Sequence, residues 1–118
     1  MIRERPDAGE RLARALRGAL QDFAGEVRIE GLTSIAWRSV TFSGARHHLR
    51  IRLEGVKAGA AADALLARMP EADFHLPDHV LADIASISDE RDPDGSRVGL
   101  ELEALTVEGS RRSAREVG

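Results

Sequence analysis

Ala45-Arg46-His47-His48-Leu49-Arg50-Ile51-Arg52-Leu53-Glu54, residues 45–54, decides the fold. Leu49, Ile51 and Leu53 fall at every second position, with His48, Arg50, Arg52 and Glu54 between them. A period of two sends the two sets to opposite faces of a β-strand, so one face is to be covered and the other wetted. His47 shares the Leu49 face by the same alternation.

Upstream, Ser43-Gly44-Ala45 reads as a hairpin turn, and an earlier strand leads into it. Val27 and Ile29 alternate with Arg28 and Glu30, and Ile35 and Trp37 resume the pattern beyond Gly31. The apolar positions are odd through Trp37 but even at Val40 and Phe42, which predicts a β-bulge near Ser39. Before this strand, Leu12, Leu16, Ala19, Leu20 and Phe23 recur every three or four residues, which predicts a helix over residues 8–24. Asp7 would cap it with Glu10 three residues on, and Gly25 would stop it.

Downstream, Gly55 ends the strand, and Ala61, Ala64, Leu65 and Met69 mark a second, Ala-rich helix from Lys57 to Met69, closed by Pro70. Asp73–Leu76 reads as an edge segment or a connection, because Pro77 cannot donate to a ladder. Val80 to Ile87 reads as a strand. Ser88-Asp89-Glu90-Arg91-Asp92-Pro93-Asp94-Gly95-Ser96 reads as a polar connector into a last strand, in which Val98, Leu100 and Leu102 alternate with Gly99, Glu101 and Glu103. Its apolar set then shifts to Leu105 and Val107, which predicts a second bulge near Ala104.

The order α-β-β-α-β-β is most simply an α+β domain, with a four-stranded antiparallel sheet and two helices packed on one face. Its expected extent is residues 8–108, between a flexible arm (1–7) and a disordered basic tail (109–118). The other sheet face is expected to be polar, with Arg50 and Arg52 pairing across strands with Glu101 and Glu103. These four are the interface residues expected for a homodimer or a protein partner, since an open sheet leaves a face and two edges.

Composition narrows the function. At 118 residues there is room for one domain, and without cysteine there is no disulfide framework, thiolate nucleophile or Cys-type zinc site. No apolar run approaches the ~18 residues that span a bilayer, and the first seven residues lack the core of a secretion signal, so the cytoplasm is the expected compartment and no membrane is involved. Arg supplies 16 of the 17 basic residues, a bias that reads first as codon composition. Residues 1–57 hold 11 basic and 7 acidic groups, whereas residues 58–118 hold 6 and 13. The halves should attract each other, and the acidic half argues against nucleic acid as a partner.

Three constellations could carry chemistry. Glu90, Asp92, Asp94 and Glu101, with Gly95, resemble the carboxylate spacing of an EF-hand calcium loop. The pattern departs from it in Glu90 for the first Asp, in Pro93 inside the loop, in Arg97 at the normally apolar position, and in strands for the flanking helices; a plain turn closed by Asp94-Gly95 explains it more simply. His47, His75, Asp78 and His79 could border a metal or small-molecule pocket between helices and sheet, although their spacing fits no specific motif. Trp37 and Phe42, near Arg38 and Arg46, could stack nucleic-acid bases, but a core of this size calls for Phe23, Trp37 and Phe74 under the helices. The serines show no nucleophile-elbow pattern, Gly55-x-x-x-Gly59 is no phosphate loop, and no cofactor is implied. The expectation is a non-catalytic module acting by self-association or by partner binding through its sheet, the alternative being a ligand domain or enzyme built on the histidines.

Overall fold

Chain order and hydrophobic period produce four strands and two helices in the computed structural model, which describes residues 8–69, 76 and 78–109. The elements are α1 (Ala8–Ala19), β1 (Glu26–Arg38), β2 (Ser43–Glu54), α2 (Ala58–Arg68), β3 (His79–Arg91) and β4 (Arg97–Glu108). The strands form one antiparallel sheet in the order β1-β2-β4-β3, so the two hairpins lie side by side and β2 meets β4 at the centre. This is the expected α+β arrangement. The arm, the tail beyond Gly109, Asp7, Phe74 and His75 lie outside the described residues.

The covered face follows the alternation of residues 45–54. Leu49, Ile51 and Leu53 of β2 stand opposite Leu102, Leu100 and Val98 of β4, and all six are at most 1% exposed. Leu12, Leu16 and Leu20 reach this layer from the first helical segment, and Ala58, Ala62 and Leu65 reach it from α2. The small alanines of α2 bring its backbone close to the sheet, and removal of this apolar surface from water is the main force holding the layers together. α1 closes earlier than residue 24: Leu20 N–H is shared by the carbonyls of Leu16 and Arg17, both at 3.1 Å, and the chain leaves in a tighter turn. Arg91, bound to Asp89 on its own strand and reaching Asp63 at 2.9 Å, fastens α2 to the β3 edge.

The bulges sit elsewhere than the parity changes suggest. In β1 the register breaks at Glu30, between Ile29 and Gly31. That extra residue turns Leu32, Ser34 and Ala36 toward the helices and sends Ile35 and Trp37 to the opposite face. Trp37 is therefore not under the helices. Val40 and Phe42 lie in the connection between β1 and β2, where Ser39 N–H bonds Phe42 O at 2.7 Å, and Ser43 already belongs to β2. β4 pairs with β2 without a break, so no bulge occurs near Ala104; Leu105 and Val107 are simply on the outer face. The irregularities of the second hairpin lie in β3, at Ala82 and Ile87, and β3 runs on to Arg91, through the first half of the expected connector. Among the described residues, no helix is long and apolar enough to cross a membrane.

Candidate functional site

Register turns the uncovered face into rows that cross all four strands. One row is Trp37–Gly44–Val107–Val80, and the next is Ile35–Arg46–Leu105–Asp83. Then come Thr33–His48–Glu103–Ala85, Gly31–Arg50–Glu101–Ser88 and Arg28–Arg52–Gly99–Glu90. This face is half apolar, where the alternation led us to expect polar residues throughout. Its apolar end holds Trp37, Val107, Val80, Leu105 and Ile35, the last 70% exposed, and the adjoining connection adds Phe42 at 55%. Gly44 makes that end flat, because a Cβ there would strike the Thr106 carbonyl and come within 2.8 Å of the Trp37 ring. The Trp37 indole N–H is buried without an acceptor.

The charged end splits laterally. Arg28, Arg46, Arg50 and Arg52 stand on β1 and β2, with Glu26, Glu30 and Glu54 among them, and Asp83, Glu90, Glu101 and Glu103 stand on β3 and β4, with Arg97 at their end, so the first pair of strands is the more basic and the second the more acidic. The Arg50/Arg52 with Glu101/Glu103 pairing expected from the sequence is not how the side chains settle. Arg50 stands opposite Glu101, but the Glu101 carboxylate takes the His48 N–H at 2.8 Å. Arg52 lies 3.0 Å from Glu30, the bulge residue of its other neighbour, with its N–H off the line to oxygen. Among the described residues, Arg50 and Glu103 have no oppositely charged group within ion-pair distance.

On the covered face, His47, Asp78 and His79 border one cavity of about 340 Å³ beside the start of α1, with Arg11, Ser34 and Glu108. Asp78 adopts φ +63° in the tight turn that brings His79 N–H to the Leu76 carbonyl, a conformation an Asp tolerates better than most residues. His47 is 1% exposed and bonded at both ring nitrogens, to Ser34 Oγ at 2.7 Å through Nδ1 and to Thr106 Oγ1 at 2.8 Å through Nε2. The Thr106 hydroxyl also lies 3.5 Å from the Ala45 carbonyl. Ser34 and His47 thus stand at the separation of a nucleophile and its base. Gly9 permits this, since a Cβ on it would come within 2.6 Å of Ser34 Oγ. Sequence reasoning set Ser34 aside with the other serines for want of a nucleophile-elbow pattern and did not reach Thr106; they are 13 and 59 residues from His47 and meet it only through strand register.

A wider groove of about 840 Å³ opens between the end of α1 and α2, lined by Leu20, Phe23 and Ala60, Ala61 and Ala64 with Asp22, Lys57 and Arg68. It lies on the helix side, away from the histidines.

The acidic connector becomes a hairpin turn, with Gly95 N–H bonded to Asp92 O at 2.9 Å and Asp92 N–H to Arg97 O at 3.1 Å. Asp94 accepts from the Ser96 N–H at 3.0 Å and hydroxyl at 2.8 Å, and these bonds hold its carboxyl below the usual aspartate range. Glu90 and Glu101 stand on the outer sheet face, Glu101 engaged by His48. Among the described residues no three His, Asp or Glu side chains gather as metal ligands.

No protein-family model matches the chain, and no curated protein matches it. A solved chain described as "Virion of native gene transfer agent (GTA) particle" is similar over 80% of this chain and 84% of its own, at 21% identity and a TM-score of 0.46. So loose a likeness says nothing of what this chain does.

Proposed function

We propose that this chain acts by self-association through the uncovered face of its sheet. The observation that carries this reading is the apolar end of that face, where Ile35, Trp37, Leu105, Val107 and Val80 sit on one side of a sheet whose helices are all on the other. A contiguous apolar patch rimmed by charge marks an association site more often than a solvated surface. Edge-to-edge pairing is the weaker route, because the bulges at Glu30, Ala82 and Ile87 break the ladders of both outer strands. The proposal brings with it the cytoplasmic location expected from the sequence, and it requires no catalysis.

The histidine cavity supports a ligand or metal reading less well. Both nitrogens of His47 are already spent on hydroxyls, which is how a satisfied core histidine is held.

Sedimentation across a dilution series tests the proposal. The chain should be dimeric or larger at about 100 µM, and Ile35→Asp should weaken association at least about tenfold with the fold intact, since a tenfold loss needs only about 1.4 kcal/mol. Trp37, the one tryptophan, should shift its emission to the red as the assembly is diluted apart. A monomer at about 100 µM with solvent-exposed emission would sink the idea.

A further inference from the structure

We infer that the second copy docks face to face about a twofold axis running along the strands, between β2 and β4, so that the basic half of each open face covers the acidic half of the other. This rests on the self-association reading and fixes its geometry. A rotation about that axis exchanges left and right across the sheet and leaves the level along the strands unchanged. Each row of the face therefore meets itself reversed.

Each outcome can be read from the rows. Trp37 comes over the partner's Val80, so the apolar ends meet, and in the next row Ile35 comes over the partner's Asp83 and Arg46 over the partner's Leu105, which sets a charged group beside each apolar one there. Arg50 comes over the partner's Glu101, His48 over the partner's Glu103, and Arg28 over the partner's Glu90. Glu54, which stands opposite Arg97 in the row beyond, comes over the partner's Arg97. Like charges approach at the far end of β1, where Glu26 comes to the level of the partner's Asp92. Arg50, which has no ion-pair partner within the chain among the described residues, acquires one in the partner's Glu101, and Glu103 comes to face an imidazole. A twofold axis across the strands, centred on the His48 row, does the reverse: it lays Arg46 over the partner's Arg50 and Trp37 over the partner's Arg28. The facing arginines of the central strand, and the loss of all contact between the two apolar ends, select against that packing.

The size of the face is adequate. Four strands at ~4.8 Å spacing, each about 12 residues long at ~3.3 Å per residue, present ~760 Å², close to the ~800 Å² per partner of a standard interface. The contact is isologous, so it closes at two copies.

The test exploits a property of this axis alone. Arg50→Glu places a new carboxylate under the partner's Glu101, and Glu101→Arg places a new guanidinium under the partner's Arg50. Each variant alone should be monomeric at concentrations where the wild type is dimeric, and an equimolar mixture should form a heterodimer, because both contacts between positions 50 and 101 are then opposite in sign. Circular dichroism must show both variants folded. Should either fail to fold, Thr33→Cys and Ala85→Cys, both at exposed positions of a chain without other cysteine, replace them. Oxidation of an equimolar mixture of these two should join the chains through a disulfide between the two introduced thiols, with far less cross-linked product from either variant alone. A dimeric wild type whose charge variants do not complement, or whose cysteine pair does not cross-link, overturns the axis and leaves self-association standing. A monomeric wild type overturns both.

Discussion

His47 shows what a single residue can and cannot reveal before its neighbours are placed. Alternation alone puts it on the Leu49 side, yet its partners come from register: Ser34 reaches it only because the bulge at Glu30 turns the even positions of β1 inward. The two hydroxyls differ in what they lose if the imidazole goes. Ser34 is exposed and can turn to water, whereas Thr106 is fully buried and cannot. His47→Leu, close in volume, should therefore cost about 1–3 kcal/mol of stability, the penalty of a stranded buried polar group. His47→Leu combined with Thr106→Val should recover most of that loss, since both ends of the bond are then apolar. Urea unfolding of the two variants measures it. If the double variant is no more stable than the single one, His47 is held by something other than this hydroxyl chain.

At the scale of elements, the helices and the central strands were legible because their apolar periods run unbroken into one buried layer. The edges were not. A period-two pattern cannot distinguish a bulge from a change in which face is apolar: the bulge expected near Ala104 is a change of face, and a bulge stands at Glu30 where the pattern was expected to run on. The shift to Leu105 and Val107 is a straight strand presenting apolar residues outward, while the bulge at Glu30 leaves no mark in the sequence because Glu30 and Gly31 fit either register. The β3–β4 hairpin carries a prediction of its own. Hydrogen bonds from the Ser96 backbone N–H, and then from its hydroxyl, depress the Asp94 carboxyl, so the turn is stabilised at any pH above the ordinary aspartate range. That stabilisation should vanish as pH falls through the depressed value. A carboxyl-carbon NMR titration should find the Asp94 midpoint below that of a free aspartate, and Ser96→Ala should move it part of the way back. An unshifted midpoint would mean the Asp94–Ser96 contact does not persist in solution.

At the scale of the whole molecule, the charge division between residues 1–57 and 58–118 has two consequences, of which the sequence made only one visible. The halves attract within a chain, because β2 of the first lies beside β4 of the second. The same side-by-side placement leaves the open face basic to one side of its midline and acidic to the other, a pattern that complements itself in a second copy. Ionic strength should separate the contributions to association. Raising salt from about 0.01 to about 0.15 M shortens the screening length from about 30 to about 8 Å, which weakens attraction between the facing halves and leaves apolar contact at the Trp37 end nearly untouched. The dissociation constant, followed by sedimentation or by Trp37 emission, should therefore rise over this interval and then level off well short of complete dissociation. Association that tightens from the lowest salt onward would mean that like charges face each other, whereas a steady loss with no plateau would mean that the apolar end is not in the contact. A face that joins its apolar ends and lays its basic side over the partner's acidic side gives a dissociation constant that rises and then holds.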